Sequence, residues 1–266
     1  MGESRKFMQE TIKTVAPSLR ALLEGFIDYA GLYPPAKVPL DQAMKNYESY
    51  RSGQYAWMLR WFVLGAAELA ALPGEAEGKF SVLCDSDEAR ATTIESTSVI
   101  QTTRPTYCEV SLANLDQLDK IKEAKLFAKI RTGGLKPEAI PTPEAVAAFI
   151  KGCAVRKLPF KATAGLHHPI RAEQALTYEE NSPRAVLHGF INVLMAAAFA
   201  WHTDIDIVPI LEETDATAFR FDECAHWRDK TLTQAQIKEA RKEFMHSVGS
   251  CSFDEPVQDL KNLGFL

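Results

Sequence analysis

The chain lacks any arm or stripe of Lys and Arg, and its formal net charge is −5. A protein that grips nucleic acid through its phosphates needs such a basic footprint, so no nucleic-acid partner is expected. No C-x-x-C motif occurs. The five cysteines, at 84, 108, 153, 224 and 251, are odd in number and scattered, which reads as reduced thiols in a cytoplasmic setting rather than a disulfide framework. The N-terminal stretch 1–13 is polar, without the apolar core of a secretory signal. The most apolar stretch, 186–201, is interrupted by His188 and Asn192 and is too short for a membrane span; it reads as a buried helix. No glycine-rich fingerprint follows a first strand, which argues against an open dinucleotide-binding sheet. No H-x-H or H-E-x-x-H pattern is present.

The chain does have a rhythm. Short β-branched or aromatic runs alternate with helical patterns, separated by turn residues, which predicts a parallel sheet. Strands are expected at 57–64, 80–84, 107–112, 126–131, 159–164, 205–211 and 218–221, with a first strand ending near Pro34-Pro35. Helices are expected at 6–27, 40–51, 66–72, 86–101, 115–123, 142–156, 182–202 and 233–247. Thr142 as N-cap, Pro143 at the first helical position and Glu144 in the first turn mark one helix start. About eight strands in 266 residues suit one (β/α)8 TIM-type barrel over 1–266 with a leading helix, a fold of roughly 250 residues.

Three consecutive strands carry charges with period two. Glu109 and Ser111 share one face with Tyr107, Lys129 and Arg131 share one with Phe127, and Lys161 shares one with Thr163. The opposite faces are apolar and should meet the helices, so the polar faces should converge inside the barrel. One acid against three bases leaves surplus positive charge, which calls for a small anionic partner, a carboxylate or phosphate. The bland alternative is a scaffold of internal ion pairs. After the sixth strand, Gly165 permits close backbone approach to a ligand, and His167-His168 stand where a barrel keeps its chemistry. The polar loop after the two histidines is a candidate lid, and a helix starting at Ser182 is a candidate anion site. Asp85, Glu212, Glu213, Arg60, Tyr33, Glu223, His226 and Asp229 are weaker candidates at strand ends and in loops.

The segments DYAGLYPPA (28–36), AKIRTGG (128–134) and FKATAGLHHP (160–169) resemble those of an uncharacterised bacterial protein family of (β/α)8-barrel type. Lys129 and Lys161 on neighbouring strands, with Glu109 beside them, are also similar in outline to class I aldolases of the deoxyribose-phosphate type. That likeness covers strands four to six, and the phosphate loops usual near strands seven and eight are not evident. It implies a Schiff-base lyase in which Lys161 is the nucleophile, its pKa depressed by Lys129 and Arg131, with Glu109 or His167 moving protons. Arg131, Thr163, Gly165 and His168 would then bind substrate. A metal-dependent hydrolase or isomerase is the alternative, its divalent metal held by ligands drawn from His167, His168, Glu109, Asp85 and Glu212. A non-catalytic anion-binding protein is the third reading. No organic cofactor is expected, and the sequence sets no oligomeric state.

Overall fold

The computed structural model describes residues 15–74 and 79–266. Eight parallel strands close on themselves: β1 (Ile27–Tyr29), β2 (Leu59–Gly65), β3 (Phe80–Leu83), β4 (Thr93–Ser96), β5 (Thr106–Glu109), β6 (Phe127–Arg131), β7 (Phe160–Thr163) and β13 (Met245–Ser250). The first seven pair in chain order around the barrel from β1 to β7, and β13 closes the ring between β7 and β1. The fold is an α/β barrel of the TIM type with an N-terminal helix, α1 (Pro17–Leu23). Helices α2 (Leu40–Ser52), α3 (Ala66–Ala71) and α4 (Gln117–Glu123) come after β1, β2 and β5.

The outer faces are apolar. Phe62, Ile94, Cys108, Ala128, Ile130, Phe160, Ala162 and Val248 are all buried under the surrounding helices. Helix α5 (Pro143–Arg156) starts as its sequence dictates, with the Thr142 side chain accepting from the Ala145 backbone and Pro143 opening the first turn. Helix α6 (Phe190–His202) is buried without interruption from Phe190 to Phe199. It packs against α5, α7 (Val208–Glu212) and α8 (Gln234–Glu243), which explains why one stretch can be apolar all round and still belong to a barrel. Among the described residues no helix is long and apolar enough to cross a membrane.

Several expected elements differ. Residues 86–101 hold strand β4 instead of a helix, because β3 and β4 are joined by a loop with no crossover helix; the charged run before Thr93 only mimics a helical pattern. The segment expected as a strand at 205–211 is loop and then α7, with Pro209 in its first turn. The strand at 218–221 exists, as β10 (Phe219–Phe221). It belongs to a separate antiparallel sheet with β11 (Cys224–Trp227) and β12 (Lys230–Thr233) and is not a barrel stave. The closing helix expected to run to 247 stops at Glu243, and Met245–Ser250 forms the eighth stave. Ser182 opens no helix. It precedes β9 (Arg184–Leu187), which pairs with β8 (Ala172–Ala175) as a hairpin, so the anion site expected at that helix start does not exist. Of the expected helix at 6–27, residues 1–14 lie outside the described residues, and Ile27–Tyr29 is the first stave rather than helix.

Candidate active site

Alternation places the charged side chains inside the barrel as the sequence implies. Glu109, Lys129 and Lys161 lie side by side in register across β5, β6 and β7. TIM barrels usually fill this layer with branched apolar residues. Here it is polar, and two carboxylates that the sequence reading missed complete it: Asp28 on β1 and Glu95 on β4, both buried.

Lys161 is fully buried. Its Nζ donates to Asp28 Oδ2 at 2.5 Å and to Glu95 Oε1 at 2.6 Å. Lys129 Nζ lies 3.5 Å from Glu95 Oε2 and 3.2 Å from Glu109 Oε2. Ser81 donates to Glu95 Oε1, and Ser247 donates to Asp28 Oδ2. Below, Arg60 donates to Ser247 Oγ and to the Tyr107 hydroxyl. The polar groups thus run unbroken along the barrel axis, from Arg60 at the N-terminal ends of the strands to Lys129 and Glu109 at their C-terminal ends.

These contacts set the electrostatics. Burial raises the Glu95 carboxyl, but the Lys161 and Lys129 ammoniums outweigh it and hold the pKa down at about 2. Burial alone would lower Lys161; the Asp28 and Glu95 carboxylates reverse that and raise it above its ordinary value. The depressed amine expected at Lys161 is therefore corrected: it is a sealed ammonium between two carboxylates. The expected surplus of positive charge is corrected too, since the carboxylates of Asp28, Glu95 and Glu109 outnumber the two lysines they pair with.

Above this layer a cavity of about 780 Å³ opens at the C-terminal ends of the strands. Lys129 is the only lysine among the described residues that line it, and Lys161 does not reach it. Glu95 and Glu109 share its floor, and Arg131, Asp85 and Glu255 stand higher on the wall. Arg131 is exposed and forms no ion pair among the described residues. Thr163, Gly165, His167 and His168 line the cavity as expected. So do Tyr33, Val63, Leu83 and Leu176, which make much of the wall apolar. The β8–β9 hairpin covers one side of the mouth through residues 174–178 and Leu187, in the place where a lid was expected.

The backbone at the end of β7 is held in an unusual conformation. Ala164 and Gly165 have φ of 65° and 76°. Thr132 fixes the turn, with its hydroxyl donating to the Ala164 carbonyl and its N–H to the Thr163 carbonyl. A Cβ on Gly133 would lie 2.9 Å from Gly165 Cα, so the two glycines let the β6 and β7 exits touch.

The two histidines part here. His168 Nδ1 is 2.6 Å from Asp259 Oδ2 on α9 (Asp254–Asn262). His167 Nδ1 is 3.0 Å from Ser250 Oγ, whose own proton goes to the Ser252 carbonyl at 2.6 Å. His167 therefore donates from Nδ1, and Nε2 is the unprotonated nitrogen. Burial, with His168 adding to it, lowers its pKa to about 4, so the ring is a neutral base at pH 7. Cys251 lies beside it, with Sγ 3.8 Å from Nδ1. Burial pushes that thiol up to about 11, too high for an effective nucleophile.

The weaker candidates divide. Asp85 and Tyr33 line the cavity, whereas Glu212, Glu223, His226 and Asp229 do not. Glu213 is a buried partner of Arg228 and the Trp227 indole. Among the described residues no three His, Cys, Asp or Glu side chains are grouped to hold a metal ion. The molecule is thus a TIM-type barrel with a lysine–carboxylate floor under a largely apolar cavity. Comparison with protein-family models, with curated proteins and with solved structures gave no match.

Proposed function

We propose that the protein is a lyase of the class I aldolase kind, which captures a small anionic carbonyl compound as a Schiff base on Lys129. The observation that carries this reading is the position of the Lys129 amine. It reaches the cavity floor between two carboxylates, while its neighbour Lys161 is sealed beneath. Lys161 keeps Glu95 ionised and shares it, so Glu95 is not free to act as a full counter-ion to Lys129 alone. Glu109, whose side chain is 31% exposed, can take the proton that Lys129 must lose before its nitrogen attacks. Attack on the carbonyl carbon and loss of its oxygen as water gives the protonated imine. That imine accepts the electron pair when the bond between its α and β carbons breaks; the enamine left behind is protonated at the α carbon and water hydrolyses the imine, releasing the second product and Lys129. Neutral His167 is the group suited to take the proton from the departing hydroxyl.

With both floor lysines already held by carboxylates, the anionic part of the substrate rests on Arg131, a wall cation that forms no ion pair among the described residues. A guanidinium forks onto a carboxylate or phosphate in a way that an ammonium does not. Sodium cyanoborohydride with pyruvate, glyoxylate and glyceraldehyde 3-phosphate as probes tests the proposal by intact mass. A stoichiometric reduced adduct that is lost in Lys129→Ala is the expected result. Absence of any adduct across the probes, with the protein folded, overturns it.

A further inference from the structure

We infer a second anion site at the opposite end of the barrel, one that takes a small phosphorylated molecule. A depression of about 420 Å³ opens among the N-terminal ends of the strands. Its lining brings Arg60 from β2, Lys238, Arg241 and Lys242 from α8, and His246 from β13 against a single acid, Glu24. In a chain of net charge −5, four cations facing one carboxylate are a local reversal of sign.

The donors are only partly used. Arg60 spends one N–H on Ser247 and one on Tyr107, and its guanidinium stacks 3.7 Å over the Trp61 ring. Three of its five N–H groups are left for another acceptor. Arg241 gives its two terminal nitrogens to backbone carbonyls of Met245, Glu24 and Gly25, while its buried Nε has no partner among the described residues. Lys238 is exposed and forms no ion pair among the described residues. Lys242 alone is paired, with Glu243 at 2.6 Å. His246, facing the same space, takes a hydrogen bond at Nδ1 from the Tyr107 hydroxyl. Two guanidiniums and an exposed ammonium around one partly buried depression repel one another, and an anion placed among them removes that repulsion. Planar forks plus a point charge suit phosphate oxygens. Arg60 is also the lowest member of the axial polar chain, so the depression adjoins the network beneath Lys129.

Isothermal titration of the purified full chain with inorganic phosphate and with pyrophosphate, at low and at physiological salt, tests this. One pyrophosphate should bind per chain, more tightly than phosphate. Lys238→Glu, an exposed change that should leave the fold intact, should weaken binding about tenfold or more, whereas Arg131→Gln at the far cavity should leave it intact. No binding by the wild type at millimolar pyrophosphate overturns the inference. So does binding that survives Lys238→Glu, or binding that Arg131→Gln abolishes.

Discussion

Replacing Glu95 by Gln removes the charge that both buried lysines share. Lys161 keeps only Asp28, Lys129 keeps only the part-exposed Glu109, and the shape of the side chain is retained. Breaking a buried ion pair by neutralising one member costs about 3–5 kcal/mol, because a desolvated charge is left under-compensated. The pKa gives a second route to the size. A carboxyl held at about 2 rather than 4.5 is worth about 3 kcal/mol at neutral pH. For a chain of this length that is a fall of roughly 6–12 °C in Tm, or a clear shift of the urea midpoint at constant m. The control is Asp119→Asn, which breaks an ion pair to Arg156 whose side chains are 56% and 25% exposed and should cost far less than the buried pair. If Glu95→Gln costs no more than Asp119→Asn, the polar layer is not a tightly coupled unit.

Other outcomes rest on the same contacts. Because the folded pKa of Glu95 is depressed, its stabilisation is complete above about 4.5 and drains away as pH falls towards 2, so acid unfolding should steepen in that window and flatten in Glu95→Gln. Lys161→Met should invert the trend. With Lys161 gone, Asp28 loses its ion-pair partner and Glu95 keeps only Lys129, so two buried carboxylates share one cation, taking up a proton relieves them, and the variant should be more stable at pH 5 than at pH 8 in urea titrations. His167 is neutral down to about pH 4, so a rate that needs it as a base should hold from pH 7 to pH 5. His167→Asn should lower kcat by about 10²–10⁴ with little change in Tm. Gly165→Ala should cost about 1 kcal/mol or more, since φ of 76° strains any residue with a Cβ, and circular dichroism melts would read it.

The staves legible in the sequence were those long enough to show period two. Tyr107–Glu109, Phe127–Arg131 and Phe160–Thr163 alternate apolar with polar, and that alternation alone placed Glu109, Lys129, Arg131 and Lys161 inside the barrel. Asp28 escaped because its stave has three residues, too few for any period to appear, and because buried Phe26 and Ile27 continue the apolar face of the preceding helix. Glu95 escaped for a different reason. Thr93-Ile94-Glu95-Ser96 has the same alternation, but the charged stretch before it gave a competing helical pattern, and no crossover helix separates β3 from β4 to restore the rhythm. The eighth stave, Met245–Ser250, has only Met and Val as large apolar residues and comes directly after α8, so it read as the end of that helix. Missing two acids made a layer in which three carboxylates face two lysines look like an excess of cations. It also put the reactive amine on Lys161, which is sealed between two carboxylates and does not line the cavity, since nothing local in the sequence tells a sealed amine from an accessible one.

Peptide mapping after reductive trapping with a carbonyl probe would decide between those two amines most directly. The modification should fall on the peptide containing Lys129, with Lys161 unlabelled in the folded protein. Label on Lys161, with Lys129 unmodified, would contradict the assignment of the accessible amine as the nucleophile.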